Sequence, residues 1–238
     1  MQNTIIEHSN IYADLAAAAV RGYLLRCPKD AVDPQLLNTS LYDLTDNEID
    51  KLLTLGQDLG IKLYRFKRSH EDMPRIRQVT GFLRAVQPES LVDVGSGRGV
   101  FLFPFLSAFP DTCVTSLDIL DYRVEFLKDI ASGGISRLTA IQADICQKPL
   151  PDKSAEVVTM LEVLEHIPDV QSAISSAVSI AKKYVVVSVP SKPDDNPEHI
   201  HLLTKPILTE YFEHAGCKKL SFSGVNGHLI LIATVGGA

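Results

Sequence analysis

The sequence predicts an α/β fold: a seven-stranded, mostly parallel, Rossmann-like sheet with an antiparallel last strand pair, preceded by a helical region. Three observations carry this. From Ser90 onward, short apolar runs alternate with helical patterns, as in strands joined by crossover helices. The first run, Leu91-Val92-Asp93-Val94, leads into a glycine turn, Gly95-Ser96-Gly97-Arg98-Gly99, and the next run ends on a lone acid, Asp118. The last two runs are split by Asn226-Gly227, residues that favour the positive φ angles of a tight hairpin.

The elements follow in order. Residues 1–88 carry no glycine turn and no clear strand. Ile11, Leu15, Ala18, Ala19 and Gly22 share one face of a first helix. A second helix opens with the capping box Thr45/Glu48 and buries Ile49, Leu52, Leu53, Gly56 and Leu59. A third follows Asp72, tolerates Pro74 in its first turn, and buries Met73, Ile76, Val79 and Leu83 before Gln87-Pro88 closes it. The stretch from Cys27 to Tyr42, with Pro28 and Pro34, reads as a connector. Strands are expected at 90–94, 113–118, 138–143, 156–161, 184–189, 218–224 and 228–234. Pro104 falls inside the first helix of the sheet region and predicts a kink or a late start there. The boundaries are thus 1–88 for the helical region and 89–238 for the sheet domain.

Composition bounds the function. At 238 residues, with 45% hydrophobic and 22% charged content, the chain fits one ordinary globular domain with an appended helical piece. Cys27, Cys113, Cys146 and Cys217 are far apart and form no C-x-x-C pair, which argues against a zinc site and for a reducing compartment. Glu7 and Asp14, with no basic start, exclude a signal peptide over residues 1–20, and the apolar run there is too short to span a membrane; the expectation is a cytoplasmic protein. The net charge of −6 speaks against a nucleic-acid partner. Its distribution is uneven: between residues 62 and 84, Lys62, Arg65, Lys67, Arg68, Arg75, Arg77 and Arg84 oppose only Glu71 and Asp72, and Tyr64 and Phe66 interleave them. That stretch reads either as a solvated face or as a landing patch for an anionic substrate.

The glycine spacing narrows the ligand. A dinucleotide turn reads G-x-G-x-x-G; here the third glycine comes one position early and Val100 replaces it. Asp118 follows Gly95 by 23 positions, suitable for a carboxylate on ribose hydroxyls. Strand three, Leu138-Thr139-Ala140-Ile141-Gln142-Ala143, runs into Asp144-Ile145, and strand four runs into Leu161-Glu162 and the loop Val163-Leu164-Glu165-His166-Ile167-Pro168-Asp169. With these ordered strand ends the chain resembles the class I S-adenosylmethionine-dependent methyltransferases. The resemblance implies S-adenosyl-L-methionine as cofactor, its amino-acid part held by the glycine turn of Gly95, Ser96, Gly97 and Gly99, its ribose at Asp118 and its adenine near Asp144 and Ile145, with Asp93, Ile119 and Leu161 also among the cofactor-binding residues. It also implies that residues 1–88 act as a lid over the substrate.

The chemistry-bearing group is Glu162, Glu165 and His166, whose i, i+3, i+4 spacing puts them on one side of a helical turn at the C-terminal edge of the sheet. A second cluster, Pro197-Glu198-His199-Ile200-His201, follows strand five. Three readings stay open. In one, His166, beside Glu165, is a general base. In another, Glu162, Glu165, His166 and one of His199 or His201 bind a divalent metal such as magnesium or manganese. The Glu-x-x-Glu-His pattern is similar to that of small-RNA 2′-O-methyltransferases and quinone O-methyltransferases, and that resemblance points to His199 as the later histidine. In the third, Glu165 caps a helix and the histidines only pack. His8, His70, His214 and His228 read as structural or surface residues. The expected reaction is methyl transfer to a hydroxyl of a small molecule, with no membrane partner. The alternatives are metal-dependent methylation of an RNA 3′-terminal ribose, or cofactor binding without catalysis.

Overall fold

The computed structural model describes residues 11–29 and 32–236; His8 and residues 1–10 of the leader reading lie outside them. Four helices come first: α1 (Ile11–Arg26), α2 (Pro34–Asn38), α3 (Asp46–Asp58) and α4 (Pro74–Val86). The capping box is present, with Thr45 accepting from Glu48 N while the Glu48 side chain accepts from Thr45 N. The stretch expected as a connector contains α2, because Asp33 caps it through Gln35 N and Pro34 takes the first helical position, where its missing N–H costs nothing. Helix α1 is buried almost all round rather than on one face: Tyr12, Leu15, Ala16, Ala17, Ala18, Ala19, Val20 and Leu24 are all buried. Its second cover is a later helix, α6, described below.

The sheet comprises β1 (Ser90–Val94), β2 (Cys113–Asp118), β3 (Leu138–Gln142), β4 (Ala155–Leu161), β5 (Ala181–Pro190), β6 (Lys219–Val225) and β7 (His228–Thr234). Its order is β3-β2-β1-β4-β5-β7-β6. Strands β1 to β5 run parallel, and β7 lies antiparallel between β5 and β6. Asn226 (φ +42°) and Gly227 (φ +84°) turn the last hairpin. The strand order reverses between β1 and β4, so the glycine turn and the loop after β4 open side by side, where ligands of such sheets bind.

Helices α5 (Leu102–Ala108), α6 (Asp121–Ser132), α7 (Val170–Ile180) and α8 (Lys205–His214) complete the layers. Helix α5 starts late, as Pro104 requires, with the proline in its first turn. Helix α1 lies against α6 at backbone contact: a Cβ on Gly22 would sit 1.8 Å from Asp129 O, and one on Gly133 1.8 Å from Ala18 O. The Arg26 guanidinium closes this contact, donating to both Asp129 carboxylate oxygens at 2.9 and 2.8 Å. Among the described residues no helix is long and apolar enough to cross a membrane.

Candidate functional site

The three turn glycines have different jobs. All have positive φ: Gly95 +67°, Gly97 +59° and Gly99 +81°. A Cβ on Gly95 would meet Val163 at 2.7 Å, and one on Gly99 would meet the Phe103 ring at 2.3 Å. On Gly97 the nearest atom would be Gly95 O at 3.6 Å, so space opens there. Asp93 and Ser96 hold the turn from beneath. The buried Asp93 carboxylate accepts from Ser96 Oγ at 2.6 Å and Thr159 Oγ1 at 2.7 Å, while burial pushes its pKa up to about 6.

Asp118, at the tip of β2, accepts from Leu120 N (3.0 Å) and Gly97 N (3.3 Å) and lies 3.5 Å from the Arg123 guanidinium. Beside it Ile119 is 63% exposed, an apolar shelf at the strand end. Asp144 is turned to local work, capping the 3-10 turn Ile145–Gln147 through Cys146 N. Ile145 is buried in the core and Leu161 is half-buried.

The loop after β4 departs from the helical turn that the spacing suggested. Glu162 takes a left-handed φ of +57°, so it stands apart from the 3-10 turn Leu164–His166. Its carboxylate accepts from Ser188 Oγ at 2.7 Å and lies 3.0 Å from His228 Nδ1. Glu165 is fully buried, and neither carboxylate oxygen has a hydrogen-bond partner. Burial, then the nearby Glu162 and Asp194 charges, push its pKa up to about 8, against a lowering by Arg75. His166 Nδ1 lies 2.9 Å from Glu198 O, and its ring meets that of His199 edge-on at 4.8 Å. Glu165, His166 and His199 each offer one ligand atom, all within 4.8 Å of one another. Glu162 and His201 are outside that group, and the His201 Nε2 is buried with no hydrogen-bond partner. A buried, unpaired carboxyl between two imidazoles suits either a proton or a divalent cation.

Sequence reasoning missed His228. It opens β7, and the antiparallel register that pairs it with Pro190 brings it to the edge where β4 ends. Its Nε2 lies 3.2 Å from Arg75 Nη1, so α4 reaches the site through this ring. The hairpin signal at 226–227, with an antiparallel last strand, was the clue that could have found it. The basic stretch is dispersed: Arg65 lies over the Phe126 ring at 4.8 Å and Arg68 is 4.0 Å from Glu71, whereas Lys62, Lys67, Arg77 and Arg84 face solvent.

Residues 92–187 match the family described as a methyltransferase domain. A ubiquinone biosynthesis O-methyltransferase of Nitrosomonas europaea is 28% identical over 140 residues, covering 57% of this chain and 57% of that protein. A 27-O-demethylrifamycin SV methyltransferase of Amycolatopsis mediterranei is 27% identical over 152 residues, covering 58% and 56%. The chain therefore spans a little over half the length of the curated relatives it matches. In fold it is similar to a solved O-methyltransferase family protein from Burkholderia thailandensis, with a TM-score of 0.56 at 15% identity, covering 79% of this chain and 60% of that one. Sheet order, glycine turn and sequence match together define a methyltransferase domain. That match covers residues 92–187, within a seven-stranded sheet of order β3-β2-β1-β4-β5-β7-β6.

Proposed function

We propose that this protein transfers the methyl group of S-adenosyl-L-methionine to a hydroxyl of a small molecule. The observation that carries the reading is the buried, unpaired Glu165 carboxyl beside His166 and His199, on the same sheet edge as the open space over Gly97. The sulfonium supplies the reactivity, so the protein must align the acceptor, exclude water and take a proton. His166 suits the last task. Glu198 O can only accept, so His166 Nδ1 carries the proton and Nε2 is left to receive one. The cofactor rests over Gly97, with its ribose on Asp118 after Arg123 yields, and its adenine on Ile119. Asp93, Gly95, Ser96 and Gly99 shape the turn that receives its amino-acid part. The curated relatives, both named for work on small molecules, support such an acceptor. Arg75 and the solvent-facing cations would favour an anionic one. The segment 62–86, held to the sheet by Arg75 and by Gln78 on Ser223, serves as the lid. Four free cysteines, Cys113 among them exposed, support a cytoplasmic location.

One observation favours a metal as a second ingredient. Glu165, His166 and His199 fit a magnesium or manganese ion, which would lower the pKa of the acceptor hydroxyl. Glu162 would complete the set only by leaving Ser188 and His228.

The test is calorimetric titration of S-adenosylhomocysteine, followed by labelled methyl transfer to a panel of phenolic and carboxylated acceptors with and without chelator. Micromolar binding that is lost in Gly97→Asp, with turnover lost in His166→Ala, is the expected result. No binding by the folded wild type, or full turnover in His166→Ala, refutes the reading. Turnover that survives chelation removes the metal.

A further inference from the structure

Arg75 is placed against the local electrostatics of its own helix. It is the second residue of α4, whose first turn carries no acid and whose cap, Met73, makes no side-chain hydrogen bond. A cation there opposes the helix dipole, which favours negative charge at that end. Its Nη1 lies 3.2 Å from His228 Nε2, and that ring sets its Nδ1 3.0 Å from the carboxylate of Glu162, the residue that follows β4. The guanidinium is thus one imidazole ring away from the loop that carries Glu165 and His166. Burial, then Lys67 and Arg75, hold the His70 pKa below its ordinary value, so the field in this corner is positive.

The rest of the Arg75 guanidinium is free. Among the described residues no carboxylate pairs with it, and its Nε and Nη2 bond to no protein atom. Neither nitrogen is buried, so solvent reaches both. Arg26 shows the same pair of donors engaged, its Nε and Nη2 each on one oxygen of Asp129. That side-on fork matches the planar face of a carboxylate. A phosphate dianion calls for more than one cation, whereas Arg65 lies over the Phe126 ring and Arg68 is beside Glu71.

We propose that Arg75 is a specificity-determining residue whose free Nε/Nη2 fork takes the carboxylate of the acceptor, so that the acceptor hydroxyl lies toward the Glu165–His166–His199 group. The substrate class is then a small hydroxylated carboxylic acid. The inference rests on the reading that this group is the reacting site.

Matched pairs of acceptors test it: hydroxybenzoates, hydroxycinnamates and aliphatic hydroxy acids, each against its own carboxamide. The wild type should methylate at least one acid with a KM about 10–100-fold below that of its amide, the effect of a charge-assisted bidentate contact. Arg75→Gln should erase that preference by raising KM for the acid, with the melting curve and S-adenosylhomocysteine affinity as in the wild type. Arg75→Lys keeps the charge without the fork and should recover only part of the preference; it also carries the test if Arg75→Gln does not fold. An acid preference that is absent from the wild type, or that survives both substitutions, overturns the proposal. So does a fall in kcat at unchanged KM, which would mean that Arg75 acts through His228 and not on the acceptor. Should the folded wild type bind no S-adenosylhomocysteine, or His166→Ala turn over fully, the reading of the site has failed. Should that reading hold while only uncharged acceptors are methylated, only the role of Arg75 has.

Discussion

Two buried acids at single positions govern how the protein answers to pH. Glu165 has its pKa raised from 4.5 to about 8, so between those values the folded chain holds a proton that the unfolded chain has lost. Its neutral form is the compatible one: that contribution to stability is complete below about pH 4.5 and is lost as pH rises through about 8. We expect the urea midpoint of the wild type to drop between pH 5.5 and 8.5, and Glu165→Gln to flatten that drop. The same proton marks metal binding. At pH 7 a divalent ion seated on Glu165 must expel nearly one proton, which calorimetry in two buffers of different ionisation enthalpy will count. Asp93 is the second case, raised from 3.8 to about 6 by burial and partly relieved by the Ser96 and Thr159 hydroxyls. Thr159→Val withdraws one of those donors at unchanged shape. It should cost about 1–3 kcal/mol, more at pH 8, where Asp93 is ionised, than at pH 5.

Among the elements, the glycine turn separates binding from folding. Gly99→Ala drives a methyl into the Phe103 ring at 2.3 Å and should lower the melting temperature by several degrees. Gly97→Ala has room within the protein and bears chiefly its φ of +59°, a cost of roughly 1–2 kcal/mol. It should stay folded and lose S-adenosylhomocysteine. Thermal melts with and without that ligand distinguish the two. The strands were readable in the sequence because each is an apolar run closed by a turn signal, and β1 and β2 match the expected residues. The loop after β4 was not. Its spacing suggests a helical face, but Glu162 adopts a left-handed φ and turns away to Ser188 and His228. The place of His228 was hidden for a related reason: its contact with Glu162 is made across the sheet and leaves no periodicity to detect.

At the scale of the whole molecule, the first helix is structural. Its alanine-rich sequence suggested one buried face, because sequence cannot show that α6 waits on the other side. Gly22→Val would press a branched side chain onto the Asp129 backbone, where even a Cβ lies at 1.8 Å. We expect a loss above about 2 kcal/mol, read by urea denaturation, with cofactor affinity unchanged in the fraction that remains folded. A fragment of residues 89–238 bares the α6 face that α1 covers, and should lack a cooperative melt.

The place of β7 between β5 and β6 has a consequence for synthesis on the ribosome. Until residues 228–234 have emerged, β5 remains an unpaired edge and β6 has no neighbour in the sheet. The same seven residues bring His228, and with it the hold on Glu162 and Arg75. A nascent chain halted before them therefore exposes a sheet edge, and the step that seals the sheet also brings His228 to Glu162 and Arg75.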